Sequence, residues 1–140
     1  FVKTFLTILG CGSSFGVPWA DGNWGKCNYK NKKNYRTRCS VAISRGQNII
    51  LIDTSPDMRF QLLNNKINNI SSVLYTHYHA DQTYGINDLR AFYFKYKKKI
   101  NIYADKITLD YLKSNFSHCF KKTPGYLPFL KATSSAPQCS

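Results

Sequence analysis

Short apolar runs rich in β-branched and aromatic residues recur along this chain, and each ends at glycine, asparagine or another turn-forming residue. Runs of this kind predict β-strands. We therefore predict five strands and a weaker sixth, at residues 2–9, 39–44, 48–52, 72–76, 100–104 and 126–130. The short turn Arg45-Gly46-Gln47 predicts that the second and third strands form a hairpin.

Three other segments carry apolar residues at the three-to-four spacing that is typical of an amphipathic helix. We expect these helices at residues 56–65, 86–96 and 107–119. Thr54 or Ser55 is the expected cap of the first helix, and Asp105 is the expected cap of the third, because small polar side chains satisfy the free backbone N–H groups of a first turn.

Length and composition suit one folded domain. With 140 residues and 43% hydrophobic content, the chain is long enough to bury a single core. Residues 16–38 are too rich in glycine, proline and lysine for regular structure, and loops of this length are usually functional or mobile. Residues 131–140 are small and polar without periodicity, so we predict a domain over residues 1–130 followed by an unstructured tail.

The chain is strongly basic, with a net charge of +13 from 20 Lys and Arg against 7 Asp and Glu. This charge favours anionic partners, but most of the basic residues are lysine, and a coding bias is the alternative explanation. We expect only weak binding to nucleic acid. No apolar run approaches the roughly 18 residues of a membrane helix, so no membrane partner is expected. The start lacks an export signal and five cysteines are irregularly spaced, which predicts reduced thiols and a cytoplasmic location.

The strongest chemical signal is a group of two histidines and one aspartate directly after a predicted strand. His77, His79 and Asp81 follow the run 72–76 at a spacing of two residues. Zn²⁺ accepts imidazole nitrogen and carboxylate oxygen as ligands. A loop anchored to the end of a strand can hold such side chains in place with little loss of conformational entropy on metal binding. The alternative is that His77 and His79 are ordinary loop histidines that make hydrogen bonds and bind no metal. Asp53, at the end of another predicted strand, favours the metal site.

Several segments around this motif resemble the metallo-β-lactamase superfamily. The similarity runs from about residue 3 to residue 130 and is greatest to the bacterial phosphoribosyl cyclic phosphodiesterases, with the tRNA 3′-end processing nucleases more distant. The segments that carry it are Leu9-Gly10-Cys11-Gly12-Ser13-Ser14, Gly16-Val17-Pro18, Arg36-Thr37-Arg38-Cys39-Ser40, Leu51-Ile52-Asp53-Thr54 and Thr76-His77-Tyr78-His79-Ala80-Asp81.

The resemblance implies an α+β fold that is the first half of the αββα metallo-β-lactamase sandwich, a mixed sheet with flanking helices. His77 and His79 would hold the first metal ion, and Asp81 would be the catalytic carboxylate that holds the second. The implied cofactor is Zn²⁺ or Mn²⁺, as one or two ions, and Asp53 would brace the metal loop. The family motif continues with histidine where this chain has Gln82, whose amide is a weaker ligand, so the second ion would bind less well.

By the same resemblance the chain is a metal-dependent hydrolase of phosphodiesterase type acting on a small cyclic or nucleotide-like phosphate. Arg36 and Arg38 are candidate contacts to that phosphate. The alternative is that both arginines only lie on the solvent-exposed face of the loop. Because the family's later ligands lie in the second half of the sandwich, two other functions stay open. They are a catalytically silent truncated remnant or interaction module, and an RNA-processing nuclease or RNA-binding protein. A sheet without its second layer would also expose an apolar face through which copies could form a homo-oligomer.

Overall fold

The computed structural model describes residues 1–134, and within them the chain builds one six-stranded mixed sheet with the strands in sequence order. The strands are β1 (Thr4–Gly10), β2 (Ser40–Arg45), β3 (Asn48–Ile52), β4 (Ser72–Leu74), β5 (Ile100–Ala104) and β6 (Leu130–Ser134). The β1–β2 and β2–β3 pairs are antiparallel, whereas β3 to β6 run parallel. Parallel neighbours need crossover connections, and these connections contain the helices.

The helices of this part of the chain are α1 (Met58–Asn64), α2 (Ala80–Thr83), α3 (Arg90–Tyr96), α4 (Lys106–Asn115) and α5 (Ser117–Phe120), with 3₁₀ turns at Lys32–Asn34 and Ile86–Leu89. None of the helices within residues 1–134 combines the length and the apolar character that crossing a membrane requires. The predicted α+β fold, a mixed sheet with flanking helices, is confirmed.

The helices cover one face of the sheet. Ala42, Leu51, Val73 and Ile102 are paired side by side across β2 to β5 on this face, and each is at most 2% exposed. The core that they form includes the helical and turn residues Met58, Leu62, Ile86, Leu89, Leu109 and Leu112. Because apolar burial contributes roughly 25 cal/mol per Å², this layer is the main source of stability in the fold.

The opposite face of the sheet is apolar and open. Leu6 and Ile8 of β1, Ile50 of β3 and Leu74 of β4 point to this side and are between 38% and 65% exposed. We call these four residues the open face. The sequence predicted a sheet whose second side would be left uncovered, and within residues 1–134 no element packs on the open face.

The last strand lies later in the chain than predicted. The sixth strand was expected at residues 126–130 with an unstructured tail from residue 131, but residues 130–134 pair in parallel with β5. Backbone hydrogen bonds to a neighbouring strand do not require an apolar sequence, and this pairing defines β6 although its last residues are small and polar. The predicted tail is therefore wrong for residues 131–134, and its remainder, 135–140, lies outside the described residues.

The predicted helices differ from the observed ones at their caps and by division into shorter elements, since residues 86–89 form a 3₁₀ turn before α3. Asp105 caps α4 as expected, since its Oδ1 accepts a hydrogen bond from the Thr108 N–H at 2.8 Å. The predicted cap at Thr54 or Ser55 is wrong, because Ser55 Oγ accepts from the Asp57 N–H in a turn that precedes α1. The third predicted helix is divided at Phe116 into α4 and α5.

Candidate metal centre

The histidine motif lies between β4 and α2, at the edge of the sheet where the parallel strands end. Asp53 directly follows β3 and Thr76 comes two residues after β4, and these strands are parallel neighbours, which brings the two residues together. Asp53 has a left-handed backbone with φ of 61°, a conformation that non-glycine residues adopt mainly in turns and at functional sites.

The carboxylate of Asp53 holds the start of the segment between β4 and α2 that carries His77 and His79, which we call the metal loop. It is buried and accepts two hydrogen bonds from Thr76, one from the N–H at 2.8 Å and one from the hydroxyl at 2.7 Å. Burial raises the pKa of Asp53 above its ordinary value, and the two hydrogen bonds from Thr76 oppose that rise. The sequence predicted that Asp53 would brace the loop, and the structure shows the contact that it makes, which is with Thr76.

Thr76 in turn fixes the tautomer of His77. The threonine hydroxyl carries one proton, which it donates to Asp53, so its oxygen is free to accept a hydrogen bond. Nδ1 of His77 lies 2.9 Å from that oxygen and therefore carries the imidazole proton. Nε2 of His77 then carries no proton, and its lone pair accepts a hydrogen bond from Nδ1–H of His79. The same lone pair would bind a metal ion once His79 carries its proton on Nε2.

Nε2 of His77 and Nδ1 of His79 face each other at a distance of 3.1 Å, and the rings meet edge to face at 77°. With imidazole–zinc distances of about 2.0 to 2.1 Å, two nitrogens at this separation could both contact one cation. His77 is half-buried and His79 is exposed, so a cation can reach the pair from solvent. The pair therefore fits a divalent cation in donor chemistry and in geometry.

Asp81 stands apart from the two imidazoles. It lies in the first turn of α2, where its Oδ2 accepts a hydrogen bond from Nε2 of Gln82 at 3.0 Å. Among the residues that the structure describes, no three His, Cys, Asp or Glu side chains form a group that could hold a metal ion. The structure thus brings together two of the three predicted ligands, His77 and His79, and leaves Asp81 outside that pair.

Gln82 occupies the position at which the family motif has histidine, and it is 7% exposed. Its backbone carbonyl accepts hydrogen bonds from the Thr54 N–H at 2.7 Å and from the Thr54 hydroxyl at 3.1 Å, which fastens α2 to the turn after β3. Its side-chain oxygen Oε1 is buried and has no hydrogen-bond partner within residues 1–134. A buried acceptor without a partner costs about 1 to 3 kcal/mol.

Arg38 binds the carboxylate of Asp57, a partner that its sequence position did not indicate. Its Nε and Nη2 atoms donate to Asp57 at 2.9 Å each, and its backbone N–H donates to the same carboxylate at 2.8 Å. These hydrogen bonds raise the pKa of Arg38 and lower the pKa of Asp57. The negative charges of Asp57 and Asp81 also favour the charged form of Arg38.

Arg36 is used in the loop as well. Its guanidinium donates to the backbone carbonyl oxygens of Lys33 and of Tyr35, the latter at 2.8 Å. Both arginines that were predicted to contact a substrate phosphate are therefore part of the internal framework of the loop, and their substrate contacts stay a prediction.

We expect the replacement Asp57→Asn to lower the free energy of unfolding by about 1 to 2 kcal/mol, because charged hydrogen bonds at a partly buried site are lost. Because the pKa of Asp57 is held below its unfolded value of about 3.9, this stabilisation is complete above that pH and is lost as the pH falls through the lower folded pKa. Urea unfolding between pH 2 and pH 7 measures both effects.

The matched control for this prediction is Asp110→Asn, which removes the exposed pair between Lys106 and Asp110. Exposed pairs contribute little, so no measurable change is expected. Equal stability losses in the two variants would contradict a structural role for the Arg38–Asp57 contact.

Sequence reasoning missed the role of Thr76 and of Gln61. A hydroxyl residue directly before the first histidine of the motif was a usable signal for Thr76, since metal-bound imidazoles need a partner on the other nitrogen. Gln61 gave no such signal. Its Nε2 donates to the Arg38 carbonyl oxygen at 2.7 Å and to Thr37 Oγ1 at 3.0 Å, across more than 20 residues of sequence.

Comparison with known proteins agrees with this fold and motif. A family model described as β-lactamase superfamily domain matches residues 48–137. A curated relative, the octanoyltransferase of Porphyromonas gingivalis (strain ATCC BAA-308 / W83), is 35% identical over 118 residues, which are 84% of this chain and 24% of that protein.

Among solved structures, a diphosphatase of the PhnP family superposes with a TM-score of 0.82 at 30% identity, over 96% of this chain and 52% of that one. Zn²⁺-bound PqqB from Methylobacterium extorquens superposes with a TM-score of 0.71 at 22% identity, and the match covers 96% of this chain and 46% of PqqB. Human short-form tRNase Z superposes with a TM-score of 0.66 at 17% identity, and the match covers 98% of this chain and 47% of the tRNase. At these lower identities the likeness shows the fold alone, and the chain spans about half the length of each structure. The match of the family model over more than half of the chain shows that this protein belongs to the metallo-β-lactamase superfamily.

Proposed function

We propose that this chain carries the metal-binding motif of a metal-dependent hydrolase of phosphodiesterase type, which acts on a small cyclic or nucleotide-like phosphate. The observation that carries the proposal is the facing pair of His77 Nε2 and His79 Nδ1, with the tautomer of His77 fixed by Thr76. Membership of the superfamily and 30% identity to a diphosphatase support a phosphate ester as the substrate.

In this proposal His77 and His79 hold a Zn²⁺ or Mn²⁺ ion, and Asp81 joins them or holds a second ion once it gives up its hydrogen bond with Gln82. Such an ion, when bound, polarises a phosphoryl oxygen and lowers the pKa of water. The chain itself orients the first imidazole through Asp53 and Thr76, and its net charge of +13 attracts an anionic substrate from solution.

We propose further that a complete catalytic site needs more ligands than residues 1–134 supply. In that part of the chain no third ligating side chain joins the histidine pair. By the family resemblance the later ligands would come from the second half of the sandwich. The similar diphosphatase is about twice as long as this chain. A second half-sandwich packed on the open face would supply those ligands and cover the exposed apolar residues.

The test is the turnover of a generic phosphodiester, bis(p-nitrophenyl) phosphate, by the protein loaded with Zn²⁺ or Mn²⁺. Metal-dependent turnover that disappears in the His79→Ala variant is the expected result for a protein that contains the complete site. Turnover that is equal with and without His79 would exclude this motif as the site of hydrolysis.

Replacing Gln82 by histidine is expected to raise the number of Zn²⁺ ions bound, because imidazole is a far better zinc ligand than an amide. The position is next to Asp81, as the hydrogen bond between the two side chains shows. Isothermal titration at pH 7.5 measures the stoichiometry and affinity. Gln82→Met, which keeps the length of the side chain, is the matched control and should show no gain. If the histidine variant also shows no gain, residue 82 points away from the metal.

Two alternatives are each favoured by one observation. The separation of Asp81 from the histidine pair favours a catalytically silent remnant or interaction module. The charge of +13 favours an RNA-binding or RNA-processing protein, and binding to RNA that persists at high salt would support it, because purely electrostatic binding falls by counterion release. The octanoyltransferase match covers only 24% of that protein, which is too little to carry its activity over to this chain. Within residues 1–134, Cys11, Cys27 and Cys39 are exposed and form no disulfide with one another, which suits the reducing cytoplasm that we propose as the location.

A further inference from the structure

A depression of about 250 Å³ lies in the long loop between β1 and β2, and Asp57 of the turn after β3 also lines it. Its lining combines aromatic rings and charged side chains, namely Phe15, Trp19, Tyr35, Arg36, Arg38 and Asp57. We call Phe15, Trp19 and Tyr35 the aromatic platform. Sequence analysis had assigned this loop only two candidate phosphate contacts, Arg36 and Arg38.

The aromatic platform is exposed although its rings are large and apolar. Phe15 is 62% exposed, Trp19 42% and Tyr35 53%. The rings of Phe15 and Trp19 stack with their centroids 4.7 Å apart and an interplanar angle of 29°, so each ring uses one face and leaves the other free. Rings that are stacked but not buried present flat π-surfaces to a ligand.

The backbone holds the platform in place. Val17 and Arg36 exchange two backbone hydrogen bonds of 2.8 Å, which tie the segment that carries Phe15 and Trp19 to the segment that carries Tyr35. The Trp19 N–H also donates to the Asn23 carbonyl oxygen at 2.9 Å. A prearranged surface loses little conformational entropy when a ligand binds.

The turn after β3 places the platform near the metal motif. Arg38 and Asp57 line the depression, and Thr54, at the start of the turn that leads to Asp57, donates its backbone N–H to the Gln82 carbonyl oxygen at 2.7 Å. The nearby Arg36 adds a cation whose side chain is exposed. A ligand with its phosphate at the metal loop would therefore have its other end over the aromatic platform.

We propose that the aromatic platform binds the planar base of a single nucleotide-like phosphate, and thereby selects substrates that carry a base over substrates that carry only a sugar phosphate. The inference rests on the proposed function for the direction of the phosphate, but the stacking contact itself does not depend on hydrolysis. The size of the depression suits one base, since pockets for larger drug-sized ligands usually span about 300 to 1,000 Å³.

The test measures binding to the full chain in the presence of a chelator, so that it does not depend on metal loading or turnover. Adenosine monophosphate and ribose 5-phosphate are titrated by calorimetry into the wild type and into Phe15→Leu and Trp19→Leu, which keep apolar bulk but remove the ring face. Tyr29→Leu is the matched control, because Tyr29 is an exposed aromatic residue of the same loop that does not line the depression.

We expect adenosine monophosphate to bind at least about fivefold more tightly than ribose 5-phosphate, and each platform variant to lose about fivefold or more of that affinity while Tyr29→Leu loses none. Circular dichroism confirms that the variants fold. Equal affinity for the two ligands, or platform variants within twofold of the wild type, would overturn the inference. So would an oligoadenylate that binds tenfold more tightly than the mononucleotide with the same residue dependence, since that result assigns the platform to RNA. Absence of Zn²⁺ or Mn²⁺ binding at His77 and His79, together with retained, platform-dependent binding of adenosine monophosphate, would reject the proposed function and leave the stacking site standing.

Discussion

Replacing His77 and His79 together by alanine is expected to weaken Zn²⁺ binding by more than about 100-fold, because both converging nitrogens are removed from the site. Loss of a residue that merely supports a metal ligand already costs about 10- to 100-fold, so loss of the ligands themselves should cost more. Competition with a chromophoric chelator at pH 7.5 measures the affinity. Elemental analysis of the wild type should give fewer than two equivalents of Zn²⁺ or Mn²⁺.

Two further variants test how the site is held. Thr76→Val removes the hydroxyl that accepts from His77 Nδ1, and an intermediate loss of about 10- to 100-fold is expected because the tautomer is no longer fixed. His118→Ala is the matched control, since His118 is bonded to Asn87 and belongs to no group that could hold a metal within residues 1–134. Wild-type protein without metal, or a double histidine variant with unchanged affinity, would show that the site assignment is wrong.

The isolated chain is expected to self-associate at micromolar concentration or to be marginally stable, because the open face leaves large apolar side chains in water. Burial of such surface contributes roughly 25 cal/mol per Å², and apolar patches beyond a few hundred Å² usually mark interfaces. Sedimentation velocity and the binding of an apolar dye measure the two consequences. We expect species larger than the monomer, together with dye fluorescence that falls as the protein associates.

The variant Leu6→Thr with Ile8→Thr tests whether the open face is responsible. Threonine favours strands, so β1 should persist while the apolar surface shrinks, and association should weaken by at least about tenfold. Ile107→Thr is the matched control, because Ile107 is as exposed as Leu6 but lies on α4. A wild-type chain that is a stable monomer with no dye binding would refute the prediction, and so would equal association of the wild type and the β1 variant.

Local sequence predicted the elements whose boundaries depend on neighbouring residues. The strands at residues 48–52 and 100–104 have the predicted bounds, and the hairpin that joins β2 to β3 is present. The cap at Asp105 was correct for the same reason, since its hydrogen bond spans three residues. The prediction of a cap at Thr54 or Ser55 was wrong. The Thr54 hydroxyl is hydrogen-bonded instead to Tyr75 and Gln82, which are distant in sequence.

For the candidate site, sequence alone determined the spacing of His77 and His79 after a strand, and that spacing is what lets their nitrogens face each other. Only the tertiary structure decided that Asp53 acts through Thr76, because the parallel pairing of β3 with β4 brings together residues 23 positions apart. It also decided that Arg38 binds Asp57 across 19 positions. Contacts of this length depend on the path of the whole chain, whereas caps, turns and short ligand spacings depend on backbone geometry within one or two turns.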